Sequence, residues 1–366
     1  MKIVFICNGL GHQTFQYIFA RWLEEATGES VILNDAQFTI LKGNVERNKK
    51  LQVSAVDVGA AHNGYEIDYV FPNSKKLIKL SEYFDPDVWE YLISKMKLSK
   101  VNLDYLPQLM LEMGFDLKMM IEYKEDFARF FQGKMFYSPV NRYNSDLARI
   151  PGNVYYRGGW FNFGFINDYR DIILKDLEFR PVTDARNIEY EREIENSFSV
   201  GVHIRRGDFV ALDRVITPES YKAIIASLED KIPGDAKFFV FSNEMDWVKE
   251  RMEDHGLPKD RTIFVEGNFD FQNNYVDMKF MAKCNVLIAA GNSTFSYLAC
   301  ALNQVPDFRY FQSRGSSTED IAVMNNPQKL MDAQKAVDAL KTDLQPNQLL
   351  QPRANRANRR KKAKRA

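Results

Sequence analysis

Between residues 199 and 303 the chain alternates between short β-branched apolar runs and helix-forming stretches, and this alternation limits the fold more than any other feature. SVGVHI leads into the charged loop RRGDF. A helix then opens at Pro218 and Glu219, with Thr217 as its N-cap. KFFVFSN is the next strand, EMDWVKERMEDHG a helix closed by Gly256, and TIFVEG a further strand. YVDMKFMAKC (helix), NVLIAA (strand) and TFSYLACALN (helix) complete the series. Continuous apolar strands separated by helices predict a parallel sheet covered on both faces. The amino terminus runs through the same pattern: strand KIVFIC, loop NGLGHQTF, helix QYIFARWLEEATG ended by Gly28, then strand VILND. The reading is therefore α/β with two lobes, 1–170 and 171–326, dividing near 165–185. The stretch 65–170 is less regular and more aromatic. With VYYRGGWFNFGFIND, it reads as an elaboration of the first lobe plus a connection.

Beyond Pro327 the apolar residues Leu330, Ala333, Val337, Leu340 and Leu344 recur at helical spacing, which predicts an amphipathic helix within 327–352 that docks or self-associates, with a membrane-surface helix as the alternative. The last fourteen residues, 353–366, hold eight Lys or Arg and no acid. The formal charge of zero thus conceals a body of net −8 joined to a basic tail. A body of that sign argues against specific nucleic-acid recognition. The tail is expected to be disordered, or drawn to anionic lipid head groups in peripheral contact with a membrane. The three cysteines, Cys7, Cys284 and Cys300, lie in apolar runs without a CxxC pair, which favours a reducing compartment over a disulfide framework. Four scattered histidines offer no metal-ligand spacing. No membrane span or signal peptide is read, so the expected location is cytoplasmic, at most peripheral at the inner face of the membrane.

Three loops could carry chemistry. HIRRGD places His203, Arg205, Arg206 and Asp208 at the carboxyl end of a strand, where open α/β sheets bind ligands. Alternation turns His203 and Arg205 to one side and Arg206 to the other. A guanidinium matches a pyrophosphate in shape and stays charged; the same residues could equally form a surface ion-pair cluster. GNSTFS follows a strand and opens a helix. Its backbone N–H groups suit an anion, and Asn292, Ser293 and Thr294 add polar side chains; a plain helix cap is the alternative. NGLGHQTFQ, residues 8–16, is not a GxGxxG loop, so dinucleotide binding fits poorly. Gly9 and Gly11 punctuate it, and its His12, Gln13 and Gln16 could hydrogen-bond hydroxyls, or the segment could be a turn of the fold. Asp277 could accept from a nucleobase edge, or be merely solvated. Asp85-Pro86-Asp87 reads as a turn and not a metal motif, and Asn273-Asn274 as loop.

GLGHQTFQY, GVHIRRGDF, VFSNEMDWVKE and DMKFMAKCNVLIAAGNSTFSYLACALN, taken together and in this order, resemble the bacterial inverting α1,2-fucosyltransferases. The likeness covers residues 1 to about 303. It implies a GT-B-like architecture, two Rossmann-like lobes facing a cleft, with GDP-fucose in the second lobe, a galactose-terminated glycan such as an O-antigen of lipopolysaccharide as acceptor, and no metal or other cofactor. It implies that Arg205 binds the β-phosphate and that His203 lies beside the nucleotide. Ser293 and Thr294 would donate to phosphate, Asp277 would read the guanine edge, and the Gly9–Gln13 loop would line the fucose–acceptor cleft. Asp208 and His12 are the candidate general bases. The sequence departs from the family where His12 replaces the Asn of GLGNQ, and where Tyr297 and Leu298 stand in a usually Trp-rich helix. Fucosyl transfer to another linkage, such as α1,6, and a non-catalytic nucleotide-sugar or glycan-binding protein are the competing expectations.

Overall fold

The structure is a computed structural model and describes residues 1–42, 63–98, 105–122, 131–211, 213–270, 272–291, 293–313 and 322–325. The expected 327–352 helix, the basic tail 353–366 and Asn292 lie outside the described residues.

Two six-stranded sheets form the frame. The first contains β1 (Lys2–Phe5), β2 (Val31–Asn34), β3 (Ile78–Lys79), β4 (Lys118–Ile121), β5 (Met135–Tyr137) and β6 (Val154–Arg157), in the order β3-β2-β1-β6-β4-β5. Every pair is parallel. The second contains β7 (Ser199–Ile204), β8 (Lys237–Ser242), β9 (Thr262–Phe264), β10 (Val286–Ala290), β11 (Arg309–Ser313) and β12 (Ala322–Asn325), in the order β12-β11-β10-β7-β8-β9. Only β12 runs antiparallel, pairing at the edge with β11. β1, β7 and β10 are buried along their whole length, as strands covered on both faces must be.

The helices that matter for the site are α1 (Leu10–Thr27), α2 (Pro86–Leu98), α3 (Ala185–Glu195), α4 (Pro218–Leu228), α5 (Asn274–Met281) and α6 (Thr294–Leu302). α1 ends where Gly28 takes a left-handed φ of 69° and its N–H donates to the Glu24 carbonyl. Each sheet buries its outer face in a cluster of its own. Ile3, Phe5, Ile121 and Tyr155 pack with Leu92, Met96 and Leu106. Val200, Val202 and Ile204 pack with Ile224 and Leu228. The inner faces share one contiguous core running from Val4, Phe15 and Phe19 of the first lobe to Phe239, Leu287 and Leu298 of the second. The lobes are therefore docked, with α1 lying against α6.

Four local expectations are corrected. Residues 8–16 are not an open loop, because α1 begins at Leu10, directly after Asn8 (φ 64°) and Gly9. The helix after β8 stops at Glu250, well before Gly256. Asp85-Pro86-Asp87 is a helix start, with Pro86 leading α2. Asn273 precedes α5 and Asn274 opens it. The irregular middle, whose strands the sequence did not reveal, supplies β3, β4, β5 and β6 to the first sheet.

Candidate active site between the lobes

Parallel pairing decides which loops meet. β7 and β10 are neighbours in register, Val200 opposite Val286 and Val202 opposite Ile288. Neighbouring strands lie about 5 Å apart. The loop carrying Arg205 and the turn leading to Ser293 and Thr294 therefore leave the same sheet edge side by side. Strand parity sets the direction of each side chain. Val200, Val202 and Ile204 face the outer core, so His203 faces inward, toward the first lobe, with its ring 6.1 Å from that of Phe295 of α6. The His203 carbonyl accepts from Tyr221 Oη at 2.9 Å, which fixes the strand end. Burial, aided by the charge of Arg205, pushes the His203 imidazole down to about 3, so the ring is neutral at physiological pH. Its Nδ1 is buried and makes no hydrogen bond.

The two arginines part company. The Arg205 guanidinium is half-buried, with its carbon 5.3 Å from the centre of the Phe209 ring. Arg206 turns the other way. Its Nε donates to Glu244 Oε2 at 2.7 Å, its guanidinium lies 3.5 Å from the Trp247 ring centre, and its N–H donates to Asn243 Oδ1 at 2.9 Å. Glu244 Oε1 also accepts from the Gly207 N–H at 3.0 Å, so this pair shapes the loop. Arg206, expected to bind substrate, has its Nε on Glu244 and its guanidinium plane over Trp247, contacts that help shape the loop. Asp208 begins the short helix Asp208–Ala211, and its side chain lies outside the described residues.

At α6, Ser293 is the N-cap but makes no side-chain capping bond. The hydroxyl and the first-turn amides thus share one corner of the site with the positive end of the helix dipole. The first lobe closes directly onto this turn. A Cβ at Gly11 would lie 2.9 Å from the Phe295 nitrogen and the Thr294 carbonyl carbon. Glycine is required there because backbone approaches backbone. His12 Nδ1 lies 3.1 Å from Thr294 Oγ1, with its ring edge-on to Phe161 at 4.9 Å. Tyr297 is stacked between Phe15 and Phe163, at 5.5 and 4.5 Å.

Gln13, expected to bind sugar hydroxyls, is fully buried and engaged by backbone. Its Nε2 donates to the Asn8 and Gly64 carbonyls, both at 2.8 Å, and its Oε1 accepts from the Glu66 N–H at 2.9 Å. Gln16 likewise accepts from the Cys7 N–H at 2.8 Å and donates to the Gly158 carbonyl at 3.1 Å. Both glutamines shape the turn after β1 and are unavailable to a ligand.

Asp277 stands in the first turn of α5, at the end of a polar chain that no local motif announces. Asp184 Oδ2 accepts from Asn187 Nδ2 at 2.7 Å, and the same amide donates to Asn268 Oδ1 at 2.8 Å. Asn268 Nδ2 then donates to Asp277 Oδ1 at 2.8 Å. Burial pushes the Asp277 carboxyl up to about 7, against the lowering effects of Asn268 and Arg186. Two further residues escaped the sequence reading. Glu122, at the carboxyl end of β4, accepts from the N–H groups of Asn141, Gly159 and Trp160 at 2.8, 2.8 and 2.7 Å, and so holds the GGW turn in place. Glu66 Oε1 accepts from Asn274 Nδ2 of the second lobe at 2.7 Å. The Gly-aromatic run 154–168 was the only hint of the first; nothing local signals the second. Among the described residues, no group of three His, Cys, Asp or Glu side chains is placed to hold a metal ion, and no helix is long and apolar enough to cross a membrane.

The family model described as Glycosyl transferase family 11 matches residues 118–324, more than half of the chain. An Escherichia coli protein named alpha-1,2-colitosyltransferase is 31% identical over 157 residues, which cover 40% of this chain and 51% of that protein. The Escherichia coli O-antigen biosynthesis glycosyltransferase WbnK is 28% identical over 154 residues, covering 39% of this chain and 48% of that protein. The chain thus spans about half the length of the curated relatives it matches. Among solved structures, the fucosyltransferase NodZ from Bradyrhizobium is similar with a TM-score of 0.49 at 14% identity, over 89% of this chain and 98% of that one.

Proposed function

The chain belongs to glycosyl transferase family 11, and from that premise we propose that it moves L-fucose from GDP-fucose to the 2-hydroxyl of a β-galactoside in a glycan, with inversion. The observation that carries the reading is the pairing of β7 with β10, which sets a guanidinium loop beside a helix start bearing hydroxyls and amides. As the bond between fucose C1 and the β-phosphate oxygen breaks, positive charge spreads over the sugar ring and negative charge builds on the departing GDP. Arg205, Thr294, Ser293 and the first-turn amides of α6 are preorganised donors for that negative charge, so they gain most in the transition state. The acceptor oxygen attacks C1 from the opposite face and passes its proton to a base, for which Asp208 is the candidate, or to water. We assign Asp277 to the guanine edge: its carboxyl is held by Asn268 through one oxygen, leaving the other for a ligand N–H. No metal is required in this scheme, because fixed donors replace it. The names of the Escherichia coli relatives support an α1,2 linkage and an O-antigen glycan as acceptor. The same linkage with colitose as the donated sugar is the second reading, favoured by the name of the relative at 31% identity.

The test is incubation with GDP-fucose and a β-galactoside, with GDP release measured and the product linkage assigned by NMR. An α1,2-fucosylated galactoside is the expected product. A different linkage, or transfer only from another GDP-sugar, would overturn the corresponding part of the proposal. Absence of any acceptor-dependent GDP release would reduce the protein to a binder.

A further inference from the structure

We propose that His12 of the first lobe is a positioning residue that sets the direction in which the Thr294 hydroxyl of the second lobe donates. The inference rests on the reading that Thr294 faces the leaving diphosphate, and it adds how that donor is oriented. A threonine hydroxyl has one proton. If it gives that proton to His12 Nδ1, only lone pairs are left to face an anion, which repels the ligand. If instead Nδ1 carries a proton and donates to Oγ1 across the observed 3.1 Å, the hydroxyl proton is released toward the phosphate oxygen. An anion at the start of α6 selects the second arrangement, because the donor polarity then runs in one direction from imidazole to hydroxyl to diphosphate.

Several features hold the ring in place for this task. Phe161 meets the imidazole edge-on, at 4.9 Å and 90°. Gly11, one residue before, lets α1 approach the Thr294–Phe295 backbone closely enough for the bond to form. The Tyr297 stack against Phe15 and Phe163 fixes the two helices in register one turn further along. With Nδ1 donating to Thr294, His12 orients a phosphate donor and is not the base that receives the acceptor proton through that nitrogen. The arrangement also makes this donor depend on lobe docking, since its two members come from α1 and α6.

Side-chain topology supplies the test. Nδ1 is bonded to Cγ of histidine, as Nδ2 is to Cγ of asparagine, so His12→Asn keeps an N–H donor at the same distance from the backbone, whereas His12→Leu keeps bulk and removes it. GDP affinity by calorimetry and kcat/KM for transfer are measured for His12→Asn, His12→Leu, Thr294→Val and the Leu/Val double variant. The expectation is that His12→Asn stays within about threefold of the parent and that His12→Leu loses roughly tenfold in kcat/KM, the scale of one oriented hydrogen bond. In the Thr294→Val background, His12→Leu should add nothing further. Equal losses for Asn and Leu, or additive losses for Leu and Val, would overturn the inference while leaving the diphosphate site standing. Unchanged GDP affinity and kcat/KM in Thr294→Val would overturn the site reading and the inference with it. Should the leucine variant fail to fold, 15N-histidine NMR of the parent with GDP decides the matter. The protein has four histidines, and the His12→Asn spectrum assigns the relevant one. A protonated Nδ1 at His12 is required, and an unprotonated one refutes the proposal.

Discussion

Replacing Gly11 by alanine should damage the proposed activity by parting the lobes. The new Cβ would stand 2.9 Å from the Phe295 nitrogen and the Thr294 carbonyl carbon, and 3.0 Å from the Thr294 carbonyl oxygen. Non-bonded contacts of carbon settle near 3.5 Å, so α1 and α6 must separate by about 0.6 Å. No rotamer change relieves the clash, because all three atoms are backbone. The same displacement would carry the 3.1 Å contact between His12 and Thr294 to about 3.7 Å, beyond hydrogen-bonding range. Overpacking of this kind costs about 1–3 kcal/mol, which lowers Tm by a few degrees in lobes of this size, at about 2–4 °C per kcal/mol. Because a misplacement of about 1 Å can cost on the order of 10² in rate, kcat/KM should fall by roughly tenfold or more. Thermal unfolding and acceptor-dependent GDP release measure the two effects. Gly28→Ala is the control. Gly28 has a left-handed φ, 69°, unlike the helical Gly11, and nothing lies within 4 Å of its added Cβ. Its substitution should cost roughly 1–2 kcal/mol of backbone strain and leave kcat/KM at the parental value. Parental Tm and kcat/KM in Gly11→Ala would refute the close-docking argument.

The tandem arginines should separate cleanly. Arg205→Ala is expected to lower turnover by about 10²–10³, as for loss of one preorganised donor. Arg206→Ala should instead cost about 1–2 kcal/mol of stability through its lost Trp247 and Glu244 contacts. Equal turnover losses would show that the side assignments are wrong. His203 should give acid sensitivity: the unfolded chain takes up a proton near 6.5, the folded one only near 3, so stability is full above 6.5 and declines as pH falls between those values. His203→Gln should flatten that decline in urea midpoints measured from pH 7.5 to 4; an identical slope would remove His203 as its source. Activity should survive EDTA undiminished, and a loss reversed by Mn²⁺ would require a metal in the mechanism.

Much of the second lobe was legible from sequence because its strands are continuous apolar runs punctuated by Gly, Pro and Thr, signals that act over a few residues. SVGVHI, KFFVFS and VLIAA all appear as strands, and TFSYLACAL as the helix behind the proposed phosphate corner. Parity along SVGVHIRR also separated Arg205 from Arg206 before any partner was known. The first lobe was harder to read. Its strands β3 and β5 are two and three residues long, too short to show a period, and they are strands only because neighbours complete their hydrogen bonds.

Residue types alone therefore determined that this chain makes parallel α/β lobes and that guanidinium and hydroxyl loops sit at strand ends. Tertiary structure decided which of those side chains are available. Gln13 is consumed by Asn8, Gly64 and Glu66, and Arg206 by Glu244 and Trp247, whereas His12 reaches Thr294 in the other lobe. The physical reason is range. Propensity and periodicity act within one element, but a polar side chain's role is set by whichever group satisfies it, and here that group lies from 5 to 282 positions away along the chain.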